Sequence, residues 1–367
     1  MSSTQSKVAT YSECAIVQSG KGQDYAVRGI GWDEETGDEY EWNILADGHG
    51  TDHFIDKVRK TNFGPFMAKS NPIAEIIEYF ATFNGTYRKQ YHDNASGIWT
   101  KYNCRSSSGC TIIIAKIYKN RIEGAIIGDS RCAVYIDGEQ VFISTPHNIN
   151  NPAEEKRLFS SGSTLTTKDY ERDPVPQIIG SNKLQPVRGG YAIFPDGTRL
   201  AVTQALGHDC STGFEPQLFS VGYSPGQRVR YVAGSDGFWD MHLSLEDIEP
   251  SLTEEDIFRR EFYAEALVDA RKDREDILNM TAEELAQKAV SRWSQEWNYH
   301  WKSSKKLEVN KCSFPETDYD DVCVYVWDNG MPTLAKKKSD ERIFEHAEYV
   351  AGLLNGSIEP EATTTDL

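Results

Sequence analysis

Aspartates stand at the ends of four apolar runs in this chain: Asp47 in "NILADG", Asp129 in "AIIGDS", Asp236 in "YVAGSDG", and Asp320 with Asp321 in "DYDDVCVYVW". Asp followed by Gly is an ordinary way to leave a strand, and Asp137 with Gly138, or Asp196 with Gly197, needs no other reading. Two details set Asp47 and Asp236 apart. Gly48-His49-Gly50 is more than a two-residue turn requires, and "SDGFWD" runs straight into a bulky aromatic pair. If these strands pack with their ends on one side, carboxylates converge where like charges repel, and a cation must neutralise them. Clustered oxygens without Cys or His pairs favour the hard ions Mg2+ or Mn2+ over zinc. Spacing alone does not establish that convergence.

The elements that would position these residues are legible as patterns. Cys110 to Ser144 reads as four short strands separated by "KN", "GDS" and "DG", an antiparallel meander. A further hairpin is expected in "GGYAIFPDGTRLAVT", turning at Pro195, Asp196 and Gly197. Strands are also expected to end at Ala46, to run through "QRVRYVAGS", and to follow Asp321 in "VCVYVW". Between them, residues 71–91 carry apolar side chains at 73, 76, 77, 80 and 83, the spacing of one helical face. Thr281 and Glu284 form a capping-box pair ahead of Leu285, Ala289, Trp293 and Trp297. The composition shifts at Met331. A charged linker, an amphipathic stretch bearing Ile343, Phe344, Ala347, Val350, Ala351 and Leu354, and a polar tail follow. The expectation is one mixed domain over 1–330, with a docked helix and a disordered tail in 331–367.

Charge and composition narrow the function. A net charge of -17 disfavours a nucleic-acid backbone as partner and suits metal cations or basic partners. No run is apolar enough to span a bilayer, and the first residues lack the pattern of a secretory signal, so the expected location is the cytoplasm or the nucleus, without a membrane partner. The seven cysteines are odd in number and show no CxxC; they read as reduced core thiols. Neither Cys104 nor Cys110 has an Arg placed to form a cysteine-phosphatase loop, and no Gly-rich Lys-Ser/Thr loop for nucleotides is present.

Residues 11 to 328 resemble, in motif order, the type 2C metal-dependent serine/threonine protein phosphatases of the PPM family. "DGHG" at 47–50 and "GDSR" at 128–131 match intact, while "SSGCTIIIA" at 107–115, "LAVTQALGHD" at 200–209, "GSDGFWD" at 234–240 and "DD" at 320–321 are similar to family motifs. The resemblance implies an α+β fold, a four-layer α-β-β-α sandwich of two antiparallel sheets flanked by helices. It also implies hydrolysis of phosphoserine and phosphothreonine in proteins by a metal-activated water, with two Mn2+ or Mg2+ ions and a third, weaker site. Under it Asp47 bridges two ions, the Gly48 carbonyl binds one of them, and Asp236 and Asp320 complete the other. Asp129 matches the carboxylate of the third site, Asp24 the position that holds metal-bound waters, and His49 the general acid for the leaving alkoxide. A monomer is expected.

Departures from the family pattern bear on activity. Ser19 stands where an Arg commonly grips the substrate phosphate, leaving Lys21 as the nearest cation for substrate binding. Gln23 stands where many members carry Glu, and Asp321 in place of Asn is expected to put one more negative charge beside the metals. "TPHN" at 145–148 replaces "DHKP", although Glu154 or Glu155 with Arg157 keeps the helix pattern that follows. Residues 166–187 fall at the family's variable flap, where substrate choice is expected to reside. Ser19 and Gln23 also leave open a catalytically weak, phosphatase-like protein that binds a partner through the cleft, and the same ions would serve a small-phosphoester hydrolase.

Overall fold

The computed structural model of the protein describes residues 10–33, 36–81, 86–93, 98–105, 108–167, 190–242, 268, 271–295, 300–303, 306–308, 316 and 319–330. The first part of the chain forms β1 (Tyr11–Val17), β2 (Asp24–Trp32), β3 (Glu39–His49), α1 (His53–Arg59), α2 (Gly64–Met67), α3 (Pro72–Ala81), β4 (Thr86–Asp93) and β5 (Ile98–Arg105). The middle adds β6 (Gly109–Cys110), β7 (Ile112–Ile117), β8 (Arg121–Ile127), β9 (Arg131–Ile136), β10 (Glu139–Ile143), α4 (Pro152–Ser160), β11 (Thr164–Thr167), β12 (Gly190–Ile193) and β13 (Arg199–Leu200). Then follow β14 (Leu206–Gly207), β15 (Gln217–Gly222), β16 (Val229–Gly234), α5 (Asp236–Trp239), α6 (271–279), α7 (Ala282–Trp293), β17 (His300–Ser303), β18 (Lys306–Glu308) and β19 (Val322–Asp328).

Two antiparallel sheets carry the fold. One has five strands in the order β1-β19-β16-β9-β10; the other has seven, in the order β14-β6-β3-β7-β8-β15 with β2 paired to β3. Both are apolar on both faces, which explains their near-continuous hydrophobic sequences. Along β19, Val322, Val324 and Val326 face α5, α6 and α7, while Cys323, Tyr325 and Trp327 face the other sheet. Along β3 and β7, Ile44, Ala46, Ile112 and Ile114 pack on α1, α2 and α3, while Leu45, Ile113 and Ala115 meet the five-stranded sheet. Three apolar layers therefore bind four layers of secondary structure in the order α-β-β-α, the expected sandwich.

The capping box forms as read: the Thr281 hydroxyl accepts from Glu284 N at 3.1 Å, and Thr281 N donates to the Glu284 carboxylate at 2.8 Å. Leu285, Ala289 and Trp293 are buried in the outer core, and Trp297 lies outside the described residues. The expected hairpin at 195–197 is present as β12 and β13. Two expectations change. The four strands from Cys110 to Ser144 exist, but they are not one meander: β7 and β8 belong to the seven-stranded sheet, β9 and β10 to the five-stranded one. Gly128-Asp129-Ser130 crosses between sheets, with Gly128 at φ 112, where a Cβ would come within 2.4 Å of Thr111 Cγ2. The helix expected over 71–91 ends at Ala81, and Thr86–Asp93 is a strand paired with β5. Asn84-Gly85 is a turn signal, and the Thr and Tyr residues after it favour strand, which the apolar spacing alone concealed. Residues 331–367, and 168–187 of the flap, lie outside the described residues. Among the described residues no helix is long and apolar enough to cross a membrane.

Candidate active site

The apolar run of β3 was expected to stop at Ala46, yet strand pairing continues through Asp47, Gly48 and His49, because β6 lies alongside with Cys110 opposite Gly48 and Gly109 opposite His49. Asp24, the first residue of β2, is directly opposite Asp47. Gly48 N donates to Gln23 O at 3.2 Å, and a Cβ at Gly48 would press on Gln23 and Ile55 at 3.0 Å. Thr111 fixes the strand end from the other side. Asp47 N donates to its hydroxyl at 3.1 Å, Thr111 N donates to Asp47 O at 2.9 Å, and the hydroxyl is 2.7 Å from Ser130 Oγ on the crossover that carries Asp129.

The five-stranded sheet supplies the opposite wall. β16 ends at Gly234, and Asp236 opens α5, its Oδ1 accepting from Gly237 N at 2.8 Å. Gly237 is obligatory on steric grounds, since a Cβ there would lie 2.1 Å from Asp321 O. Asp320 and Asp321 precede β19, the neighbour of β16. Both oxygens of Asp321 are occupied, accepting from Gly20 N and Gln23 N at 2.8 Å each. Asp321 thus clamps the 20–23 loop. Its oxygens are engaged with backbone, while its negative charge acts on Asp24 and Asp320.

The remaining aspartates perturb one another. Asp24 is pushed well above the usual carboxylate range, first by burial and then by Asp236, Asp321 and Asp320. Asp47 is pushed up likewise by burial and then by Asp24, and Asp236 by burial and then by Asp47; the Asp47 and Asp236 carboxyls are close enough for one, when protonated, to donate to its partner, which eases the rise at Asp47. Asp129 rises to about 7 through burial, with Asp240 and Asp320 adding to it, and Asp320 rises as well. Both Asp24 oxygens and Asp129 Oδ1 are shielded from solvent without hydrogen-bond geometry to any described group; the Ser235 hydroxyl is near enough only to ease the charge on Asp24. Among the described residues no three His, Cys, Asp or Glu side chains are arranged to close around an ion. The donor set is nevertheless one of hard oxygens with unsatisfied lone pairs and uncompensated charge, and that fits a divalent cation.

His49 lies beside this cluster. Burial, then His208 and Lys21, lower its pKa to about 3, so its imidazole is neutral at neutral pH. Lys21 is exposed, and its charge acts on Asp320 as well as on His49, which puts it at the mouth of the site. Gln23 does not carry the charge of a Glu but ties the loop after β3, its amide donating to Gly50 O at 3.0 Å and to Asp52 Oδ1 at 2.8 Å. Of the two candidates on α4, Glu154 is the buried one. It accepts from Arg157 Nη2 at 2.7 Å, Thr203 Oγ1 at 2.6 Å and Gln204 Nε2 at 2.7 Å.

Two residues escaped the sequence reading. Asp240 closes α5 four residues after Asp236, one turn along the same face. Its surface is open, which softens the effect, but the surrounding protein and then Asp320 push its pKa upward. The signal was in view as the last residue of "GSDGFWD". His208, whose ring centroid is 5.9 Å from that of His49, had no strand-end signature to mark it.

The protein phosphatase 2C family model matches residues 45–248. A putative protein phosphatase 2C 22 from Oryza sativa subsp. japonica is 24% identical over 235 residues, covering 59% of this chain and 38% of the relative. A protein kinase and PP2C-like domain-containing protein from the same plant is 26% identical over 186 residues, covering 50% of this chain and 25% of its own length. The chain thus spans well under half of these relatives. Among solved structures, a C. elegans sex determining protein aligns with a TM-score of 0.46 at 15% identity, covering 90% of this chain and 67% of the other. The S. agalactiae serine/threonine phosphatase aligns with a TM-score of 0.43 at 16% identity, covering 86% and 99%. The family match begins on the strand that delivers Asp47 and runs past the helix that starts at Asp236, and over more than half of its length this chain belongs to the protein phosphatase 2C family.

Proposed function

We propose that the protein is a metal-dependent serine/threonine protein phosphatase whose reaction takes place between the two sheets' aspartate-bearing ends. The observation that carries the reading is the gathering of Asp24, Asp47, Asp129, Asp236 and Asp320 at adjoining strand ends, each with its pKa raised first by burial and then by a neighbouring carboxylate, a cluster whose charge a cation would offset. Mn2+ or Mg2+ bound there would lower the pKa of water and offset charge on the phosphoryl oxygens of a substrate. Asp47, the Gly48 carbonyl, Asp236 and Asp320 would hold the ions, with Asp129 and Asp240 at a weaker site. Asp24, with both oxygens lacking a partner, would accept hydrogen bonds from water and orient it.

Lys21 would draw the phosphate monoester into the mouth of the site as a point charge, the role for which Ser19 offers no guanidinium. His49 would hold the proton destined for the leaving alkoxide. Its imidazole is neutral in the free protein, and the negative charge of an arriving phosphate is what would raise its pKa far enough to protonate it. The Asp321 clamp and the Gln23 amide hold the loops that present these groups.

The test is hydrolysis of a phosphothreonine peptide by purified protein with Mn2+, with Mg2+ and with chelator, beside Asp47→Asn. Metal-dependent turnover that vanishes in the variant is expected. Tight Mn2+ binding without turnover would replace this reading with that of a phosphatase-like binding protein.

A further inference from the structure

The segment after β14 has backbone torsions that the sandwich itself does not require. His208, Asp209 and Cys210 have φ values of 47, 53 and 62, three consecutive non-glycine residues in the left-handed region, directly after Gly207 at φ 88. Such torsions persist only where the surroundings enforce them, and they concentrate at working sites. Here they turn the His208 side chain inward. His208 N donates to Ser108 O at 2.9 Å, and the residue is 2% exposed. Its ring rests on Gly109, where a Cβ would come within 2.3 Å of His208 Cδ2. Gly109 is paired with His49 on one side and with Gly207, the residue before His208, on the other, so the two imidazoles flank Gly109 with centroids 5.9 Å apart and planes inclined by 32°. His49 Nδ1 is shielded from solvent and has no hydrogen-bond partner among the described residues, so no such bond orients its ring. The His208 ring is packed beside it.

We infer that His208 is a positioning residue for His49: the left-handed turn at 208–210 holds the His208 ring against the His49 ring, so that the latter points its proton-bearing edge at the leaving oxygen of a phosphate ester. The inference rests on the phosphatase reading and on His49 as proton donor. Its chemistry makes a specific demand. The bond broken is that between phosphorus and the ester oxygen, and His49 supplies the proton which that oxygen takes up as it departs. An alkyl oxygen, as in phosphothreonine, needs that proton in the transition state, whereas the oxygen of p-nitrophenyl phosphate leaves as a stable anion without it.

The experiment compares kcat on a phosphothreonine peptide and on p-nitrophenyl phosphate, with saturating Mn2+, for the wild-type protein, His208→Asn, His49→Gln and the double variant. Asn is chosen because it tolerates the left-handed backbone at this position. His208→Asn is expected to lower kcat on the peptide about 10- to 100-fold and to change kcat on the aryl ester by less than about 3-fold, and the double variant should lose no more on the peptide than His49→Gln alone. The aryl ester also serves as the control for folding and metal binding. Equal losses on both esters would show that His208 only supports the structure, and no loss on either would show that His49 is oriented without it; both results overturn the inference. A wild-type protein inactive on both esters with Mn2+ bound would instead remove the phosphatase reading beneath it.

Discussion

Asp24 and Asp47 occupy directly opposed positions on the β2–β3 ladder, a placement that brings two buried carboxylates together across a strand pair. Like charges opposite one another weaken a sheet. Stability has therefore been conceded at this point for a site, and replacing one member should relieve the fold while disabling the chemistry. Asp47→Asn is expected to melt in chelator at a temperature no lower than that of the wild type, while turnover with Mn2+ is lost. Wild-type protein should gain about 2.7 kcal/mol when free metal reaches about 100 times its dissociation constant, and the variant much less. Calorimetric melting with and without Mn2+ checks both statements.

Thr111 is fully buried, and its hydroxyl joins the Asp47 backbone to Ser130 beside Asp129. Thr111→Val keeps the shape and deletes that link, leaving the buried Asp47 N–H without its acceptor. The expected cost is about 1–3 kcal/mol, accompanied by roughly 10-fold weaker Mn2+ binding, because the groups behind a metal ligand set its orientation. Titration calorimetry on the folded variant measures the second quantity separately from the first.

The strand-end aspartates were legible in the sequence because a residue that leaves an apolar run must lie at the rim of the core, whatever the topology. The sheet to which each strand belongs was not legible. Ile127 and Arg131 are separated by a stretch that reads as a hairpin turn, and only the packing of Gly128 against Thr111 shows that the chain changes layers there. Asp240 and His208 were missed for different reasons. Asp240 is in a motif already noticed, one helical turn from Asp236, and the periodicity of a four-residue helix is too short to register. His208 depends on left-handed backbone at three consecutive non-glycine residues, a conformation that the modest preference of His and Asp for that region is too weak to announce.

Glu154 provides the pH prediction. Burial alone would raise its pKa, but the bonds from Arg157, Thr203 and Gln204 outweigh burial and hold it below its ordinary value of 4.5. A carboxylate with a lowered folded-state pKa contributes its full stability above the unfolded value and loses it as pH falls through the folded one. Wild-type protein should therefore lose this contribution below about pH 4.5. Glu154→Gln should already be weaker at pH 7 by about 2–3 kcal/mol, and its stability should fall less steeply in that acid range. Urea unfolding at a series of pH values distinguishes the two slopes.

Asp321 accepts two backbone N–H groups where the family pattern has Asn. Asn has only one acceptor oxygen, so Asp321→Asn should release either Gly20 or Gln23 and cost about 1.5–3 kcal/mol. If the clamp is its main task, Mn2+ affinity should shift by less than about 10-fold, and protection of the Gly20 and Gln23 amides from hydrogen exchange should fall.

β19 lies between β1 and β16, so strands from the two ends of the described chain are neighbours, Tyr11 facing Asp328 in register. During synthesis, β1 must wait without its partner until some three hundred further residues have been made, and the middle of the five-stranded sheet stays open for the same interval. Closing so long a loop is slow, and until it closes the edges of β1 and β16 offer unpaired backbone to other chains. The strand that closes the sheet is also the one that brings in Asp320, so a chain on the ribosome can carry neither a complete sheet nor a complete acidic centre until nearly the last described residue has emerged.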